Sequence, residues 1–245
     1  MSGHSHWHSI RYKKGIADAK KSKAFSKMSR EITIAAREGG GNPEFNTKLR
    51  LAIERAKSIN MPAENIEKAI KRGTGELTGE KLESITLEAY GPGGIAIIIE
   101  GITDNKNRTL AEIRQILNQY NGKLVQEGAV RWLFERKGCV VINLNSQPSE
   151  LKDKEKIEMI AIEGGAEDFR WRANDLLDVY TKVEELEKVK KYLENKGIKV
   201  ESASLDWVAK NPLEVKKEEY EEARKLFEEL DEHPDVQEIY SNLKD

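Results

Sequence analysis

Between residues 21 and 38 apolar side chains recur at helical spacing. Phe25, Met28, Ile32, Ala35 and Ala36 fall on one side and Lys23, Lys27, Arg30 and Arg37 on the other, which predicts an amphipathic helix with a cationic back. Ile34 breaks the cationic side, so another element is expected to cover part of it. Gly39-Gly40-Gly41 ends the helix. Asn42 as N-cap with Pro43 at the first helical position predicts a second, with Phe45, Leu49, Ala52, Ile53 and Ala56 as its apolar stripe. A third starts at Pro62, runs through Ile66, Ala69 and Ile70, and stops before Gly73. Gly73, Gly75 and Gly79 then form a polar junction that predicts a hinge.

From residue 82 the period changes. SITLEAYG, GIAIIIEGI, a helix carrying Leu110, Ile113 and Leu117, and VRWLF read as β-β-α-β. CVVINL, a helix over 152–162, DFRW, LLDVYT, a helix carrying Leu186, Val189 and Leu193, and KVESASLDWV read as β-α-β-β-α-β, a complete ferredoxin-like unit. A last helix over 216–231 and the strand VQEIY supply the trailing α-β that the earlier ββαβ lacks. The predicted fold is therefore α+β: a helical domain at 1–76, a discontinuous α/β sandwich at 77–135 plus 206–245, and a second ferredoxin-like sandwich inserted at 136–205.

Charge changes this picture from architecture to chemistry. Residues 1–75 hold 16 Lys or Arg against 7 acids, net +9, and the remainder holds 25 against 36, net −11. A basic end concentrates at phosphate backbones and an acidic remainder limits indiscriminate coating, so a nucleic acid is the expected partner. Trp7, Arg11, Lys13, Lys14, Lys20, Lys21, Lys23, Lys27, Arg30 and Arg37 are the candidate binding residues: Trp7 offers a stacking face and the cations hold phosphates. Asn105, Lys106 and Arg108 in TDNKNRT form a secondary candidate at a strand-to-helix junction, where a helix N-terminus favours anions. The same residues also suit an ordinary capped loop.

Other chemistry finds little support. His4, His6 and His8 lack the paired spacing of a zinc site, and no metal or other cofactor is expected. KRGTGELTG at 71–79 follows a helix and lacks the terminal Lys-Ser/Thr of a phosphate loop; YGPGG at 90–94 is a tight hairpin. The single cysteine, Cys139, lies in an apolar run and reads as a buried structural thiol. No nucleophile, base and orienting group come together, so the chain reads as a non-enzyme. No apolar run approaches a membrane span, and the basic start leads into Lys- and Ala-rich sequence instead of the apolar stretch of a secretion signal. Cytoplasmic residence follows as an expectation, with neither a membrane nor a small-molecule ligand indicated.

GHSHWHSIRYKKGIADAKKSKAFSKMSREI at 3–32, GGGNPEFNTKLRLAIERAKSINMP at 39–62, IEKAIKRGTGE at 66–76 and YGPGGIAIIIEGITDNKNRTLAEIR at 90–114 resemble the YebC/PmpR family over essentially the whole chain. The family usually has Lys or Arg at the position of His6 and paired glycines near Asn121-Gly122. The resemblance implies a three-domain cytoplasmic protein without enzymatic activity. It also implies a regulator of gene expression, commonly described as a DNA-binding transcriptional regulator. The alternative it carries is a translation factor that assists ribosomes at stalls, as in mitochondrial relatives that activate cytochrome c oxidase translation. A protein-interaction or small-ligand module is the third reading.

Overall fold

Three helices come first. In the computed structural model, which describes residues 18–79, 81–172 and 175–244, α1 spans Asp18–Gly39, α2 Thr47–Ser58 and α3 Ala63–Thr74. Met28, Ile32, Ala35 and Ala36 of α1 pack on Leu49, Ala52, Ala56, Ile66 and Ala69 of the other two. The second helix is capped by Asn46, not Asn42. The Asn46 side chain accepts from Leu49 N (3.0 Å) and donates to the carbonyls of Ala35 (2.7 Å) and Gly40 (2.9 Å), so one buried carboxamide joins the end of α1 to the start of α2. Residues 43–45 form a turn ahead of it, which leaves Phe45 86% exposed and outside the stripe expected to hold it. Gly73 belongs to α3 and is no hinge. A Cβ there would lie 2.4 Å from Thr33 O and 2.7 Å from Ala36 Cβ, so the missing side chain is what lets α3 approach α1. The helix ends at Gly75, whose left-handed φ of +83° suits glycine.

The first sheet is built from β1 (Glu83–Tyr90), β2 (Ala96–Thr103), β3 (Lys123–Val125) and β8 (Val236–Ser241), in the order β3-β1-β2-β8. Helices α4 (Lys106–Gln119) and α7 (Lys217–Glu232) cover one face. Ile97 and Ile99 of the sheet are fully buried there with Ile113, Leu117, Leu226 and Leu230. The opposite face meets the helical region, where Ile34 of α1 packs with Leu82 and Ile102. The third strand is KLV, not VRWLF. Asn121 (φ +53°) and Gly122 turn the chain straight back from α4, with Gly122 N bonded to Leu117 O at 2.8 Å, and the strand follows at once. Residues Arg131–Leu133 are a single 3₁₀ turn before Phe134 opens the next strand.

That strand, β4 (Phe134–Asn143), starts the second sheet. It is followed by α5 (Lys154–Glu163), β5 (Asp168–Arg172), β6 (Leu176–Thr181), α6 (Leu186–Asn195) and β7 (Val200–Ala209), in the order β5-β6-β4-β7 expected of a ferredoxin-like βαββαβ unit. The chain forms two compact units, Glu135–Val208 and the segments on either side of it. Among the described residues no helix is long and apolar enough to cross a membrane.

Candidate nucleic-acid interface

The cations of α1 are bound up with acids from the far end of the chain. Lys23 pairs with Glu232 at 2.6 Å. Lys27 is buried and donates to the carbonyl (2.6 Å) and carboxylate (3.3 Å) of Asp231. Arg30 pairs with Asp235 and reaches the carbonyls of Ile102 (3.2 Å) and Pro234 (3.1 Å). Arg37 donates to Leu82 O at 2.5 Å. From α2, Arg55 lies between Glu31 and Glu238. The face read as a phosphate-binding surface is thus the contact between the helical region and the first sandwich, which limits what Lys27 and Arg30 can offer a ligand. Lys21 is exposed; Trp7, Arg11, Lys13, Lys14, the three N-terminal histidines and the side chain of Lys20 lie outside the described residues.

TDNKNRT is built into the same contact. Asn105 caps α4 by accepting from Arg108 N (3.1 Å). Thr109 donates to Asp235 Oδ2 (2.6 Å), and its hydroxyl lies 2.8 Å from that of Thr103, both threonines being fully buried. Arg108 reaches Asp235 (2.9 Å) and Asp104 (2.7 Å). Burial alone would raise the Asp235 carboxyl, but the donors from Thr109, Arg30 and Arg108 outweigh it and hold the group well below the usual carboxylate range. Asp235 N also donates to His233 Nδ1 (3.2 Å), which leaves Nε2 to donate to Glu112 (3.0 Å). Only Lys106 of the secondary candidates stays exposed without a structural task in this network.

A different grouping opens on the other side of α1. A groove of about 600 Å³ runs between α1, α3 and residues 78–82, lined by Ser22, Ser26, Ser29 and Thr33 of α1, Asn65 and Arg72 of α3, and the edge of Arg30. Ser22, Ser26, Ser29 and Thr33 recur at helical spacing, so the stripe was legible in the sequence, but Arg72 and Asn65 join it only through the packing of α3. The Ser26 hydroxyl donates to Ser22 O (3.0 Å) and that of Thr33 lies on Ser29 O (2.8 Å) and Ala69 O (3.1 Å). The Ser22 and Ser29 hydroxyls, the Asn65 carboxamide and the planar Arg72 guanidinium are therefore the donors that suit phosphate oxygens.

The described residues offer no comparable arrangement for catalysis. The Cys139 thiol is pushed well up by burial, with Asp178 and Asp206 adding to the effect, so it is held protonated.

Two family models match the chain: the TACO1/YebC protein N-terminal domain over residues 5–76 and the TACO1/YebC second and third domain over residues 82–243. A protein of Dictyoglomus turgidum is 50% identical over 99% of this chain and 96% of its own length. One of Thermotoga maritima is 48% identical over 100% and 94%. Both are named probable transcriptional regulatory proteins. The crystal structure of a conserved hypothetical protein from Aquifex aeolicus superposes with a TM-score of 0.89 at 42% identity, covering 98% of this chain and 97% of that one. Matched from end to end by both models and by relatives of nearly its own length, the chain belongs to the TACO1/YebC family.

Proposed function

We propose that this protein is a non-catalytic, cytoplasmic regulator of gene expression that acts by binding nucleic acid through its basic N-terminal region. The observation that carries this reading is the groove between α1 and α3, where the Ser22 and Ser29 hydroxyls, Asn65 and Arg72 line one opening within the part of the chain that holds net +9. The relatives' name supports transcriptional control.

A second target, RNA or the ribosome, is favoured by the way α1 is held. One side is packed on α2 and α3, and Lys27 and Arg30 are tied to the α7–β8 turn. A helix covered on two sides is poorly placed to enter a major groove and read base edges. Contacts to phosphate alone carry little sequence information.

Salt dependence of binding tests the interface. Arg72→Ala is expected to lower the slope of log affinity against log salt by about 0.7–0.9, one phosphate contact, whereas Lys27→Ala leaves the slope unchanged and lowers stability. An unchanged slope for Arg72→Ala removes the groove from the interface. Competition at fixed physiological salt separates the targets. If one duplex sequence beats random duplex by about a thousandfold while ribosomal RNA fails to compete, the transcriptional reading holds and the RNA reading falls.

A further inference from the structure

The loop between β3 and β4 holds the only exposed tryptophan among the described residues, Trp132, whose surface is 65% exposed. Its placement is tightly specified. The carboxylate of Glu88, itself buried in β1, accepts from three successive parts of the loop: Gly128 N (2.8 Å), Val130 N (2.7 Å) and Arg131 N (2.9 Å). Trp132 Nε1 donates to Ala129 O (3.0 Å), the carbonyl that also accepts from the Tyr90 hydroxyl (3.4 Å). Lys210 Nζ donates to Trp132 O (3.0 Å). A buried carboxylate and three further polar groups therefore orient a large ring that contributes little to the core.

The neighbouring surface adds a cavity. About 590 Å³ opens beside the ring of Tyr90, lined by Asn118, Asn121, Lys123 and the bare backbone of Gly94, with Lys123 Nζ 6.0 Å above the Tyr90 ring centre. Gly94 has φ +79°, and a Cβ there would meet nothing within 4 Å, so the main chain lies open to a ligand. Arg131 is balanced by Glu88 and Glu127, which leaves Lys123 and Lys210 as the cations of this surface.

We propose that Trp132 and the adjoining Tyr90–Lys123 cavity form a stacking site for unpaired bases of a single-stranded nucleic acid, separate from the helical region. The proposal deepens the nucleic-acid reading above and rests on it. Every base has a flat face that an oriented indole can accept, and a carboxamide such as that of Asn118 can bond to base edges exposed only when a strand is unpaired, while the Asn121 amide already donates to Glu222 (2.6 Å). Lys123 and Lys210 supply point charges for the flanking phosphates; the Lys210 ammonium keeps two N–H groups beyond the one given to Trp132 O. A protein anchor would be expected to sit in an apolar collar. Here the loop that leads into Trp132 carries the charged Glu127 and Arg131, and Lys210 bonds to the Trp132 carbonyl.

Fluorescence anisotropy with a homopolymeric single-stranded RNA, its DNA counterpart and a fully paired RNA duplex tests the site in the full-length protein. Trp132→Ala is expected to weaken binding of both single strands by about tenfold or more, leave the duplex unaffected, and leave the salt slope of single-strand binding unchanged, because stacking releases no counterions. Trp132→Phe, which keeps a ring, restores most of the loss. Two results overturn the site while leaving the nucleic-acid reading intact: unchanged single-strand affinity in Trp132→Ala, or equal losses for strand and duplex. Failure of the unaltered protein to bind any of the three polymers overturns both.

Discussion

Asp235 shows how much one buried side chain can organise. Its carboxylate is 1% exposed and takes Arg30 from α1, Arg108 and Thr109 from α4 and, through its own backbone, Ile102 N of β2. Removing one member of a buried ion pair leaves the partner charge uncompensated, so Asp235→Ala is expected to cost about 3–5 kcal/mol in a urea titration. The pH dependence follows from the direction of the shift. Because the folded group titrates below its unfolded counterpart, its contribution is fully present above the unfolded value near pH 4 and is lost as pH falls through the folded value. The unaltered protein should therefore lose stability steeply on acidification, and Asp235→Asn should lose less over the same range. Sequence patterns disclosed a capped helix start at Asp104 or Asn105, because a cap is local, and the structure assigns it to Asn105. They hid Asp235, because its partners lie 126 to 205 residues away in the chain.

At the scale of elements, long periodic segments were legible and short or context-driven ones were not. The faces of α1, the ferredoxin-like order of the second sheet and the late strand β8 all follow from repeats of apolar side chains. KLV is three residues long, too short to show a period, whereas VRWLF looks like a strand but turns over Arg131–Leu133 before Phe134 opens β4. What decides between them is the Glu88 carboxylate, which captures the loop N–H groups that a strand would use for pairing. The cationic side of α1 was read correctly as a face, but its partner was not visible from α1 alone. The Gly73 junction was misread for a related reason: glycine marks both hinges and close helix contacts, and only the position of Thr33 O distinguishes them. Gly73→Ala is expected to force α3 away from α1 and destabilise the larger unit by roughly 1–3 kcal/mol, with Cys139 in the other unit as an internal reference. Labelling of that buried thiol by a disulfide reagent should keep its unaltered rate while the helical region melts earlier by circular dichroism.

Over the whole molecule, charge and connectivity act together. Lys23, Lys27 and Arg30 of the basic region face the acids of the α7–β8 segment across a contact that also buries Ile34, Leu82 and Ile102, so part of the charge segregation serves folding. The connectivity assigns different autonomy to the two units. Glu135–Val208 contains all four strands and both helices of its sandwich apart from the terminal residues of β4 and β7. The first sandwich depends on chain that returns after it: β8 completes the hydrogen bonding of β2, and Ala223, Leu226, Phe227 and Leu230 of α7 cover Ile97 and Ile99. A fragment ending at Phe134 would expose those isoleucines and leave Arg30 without Asp235. Expressed separately, residues 134–209 are expected to unfold cooperatively in urea with dispersed amide resonances. Residues 1–134 are expected to show no cooperative transition until the segment 209–245 is supplied in trans. A cooperative transition in residues 1–134 alone would show that the α1–α3 core suffices without α7 and β8, and would overturn the dependence of the basic region on the acidic one.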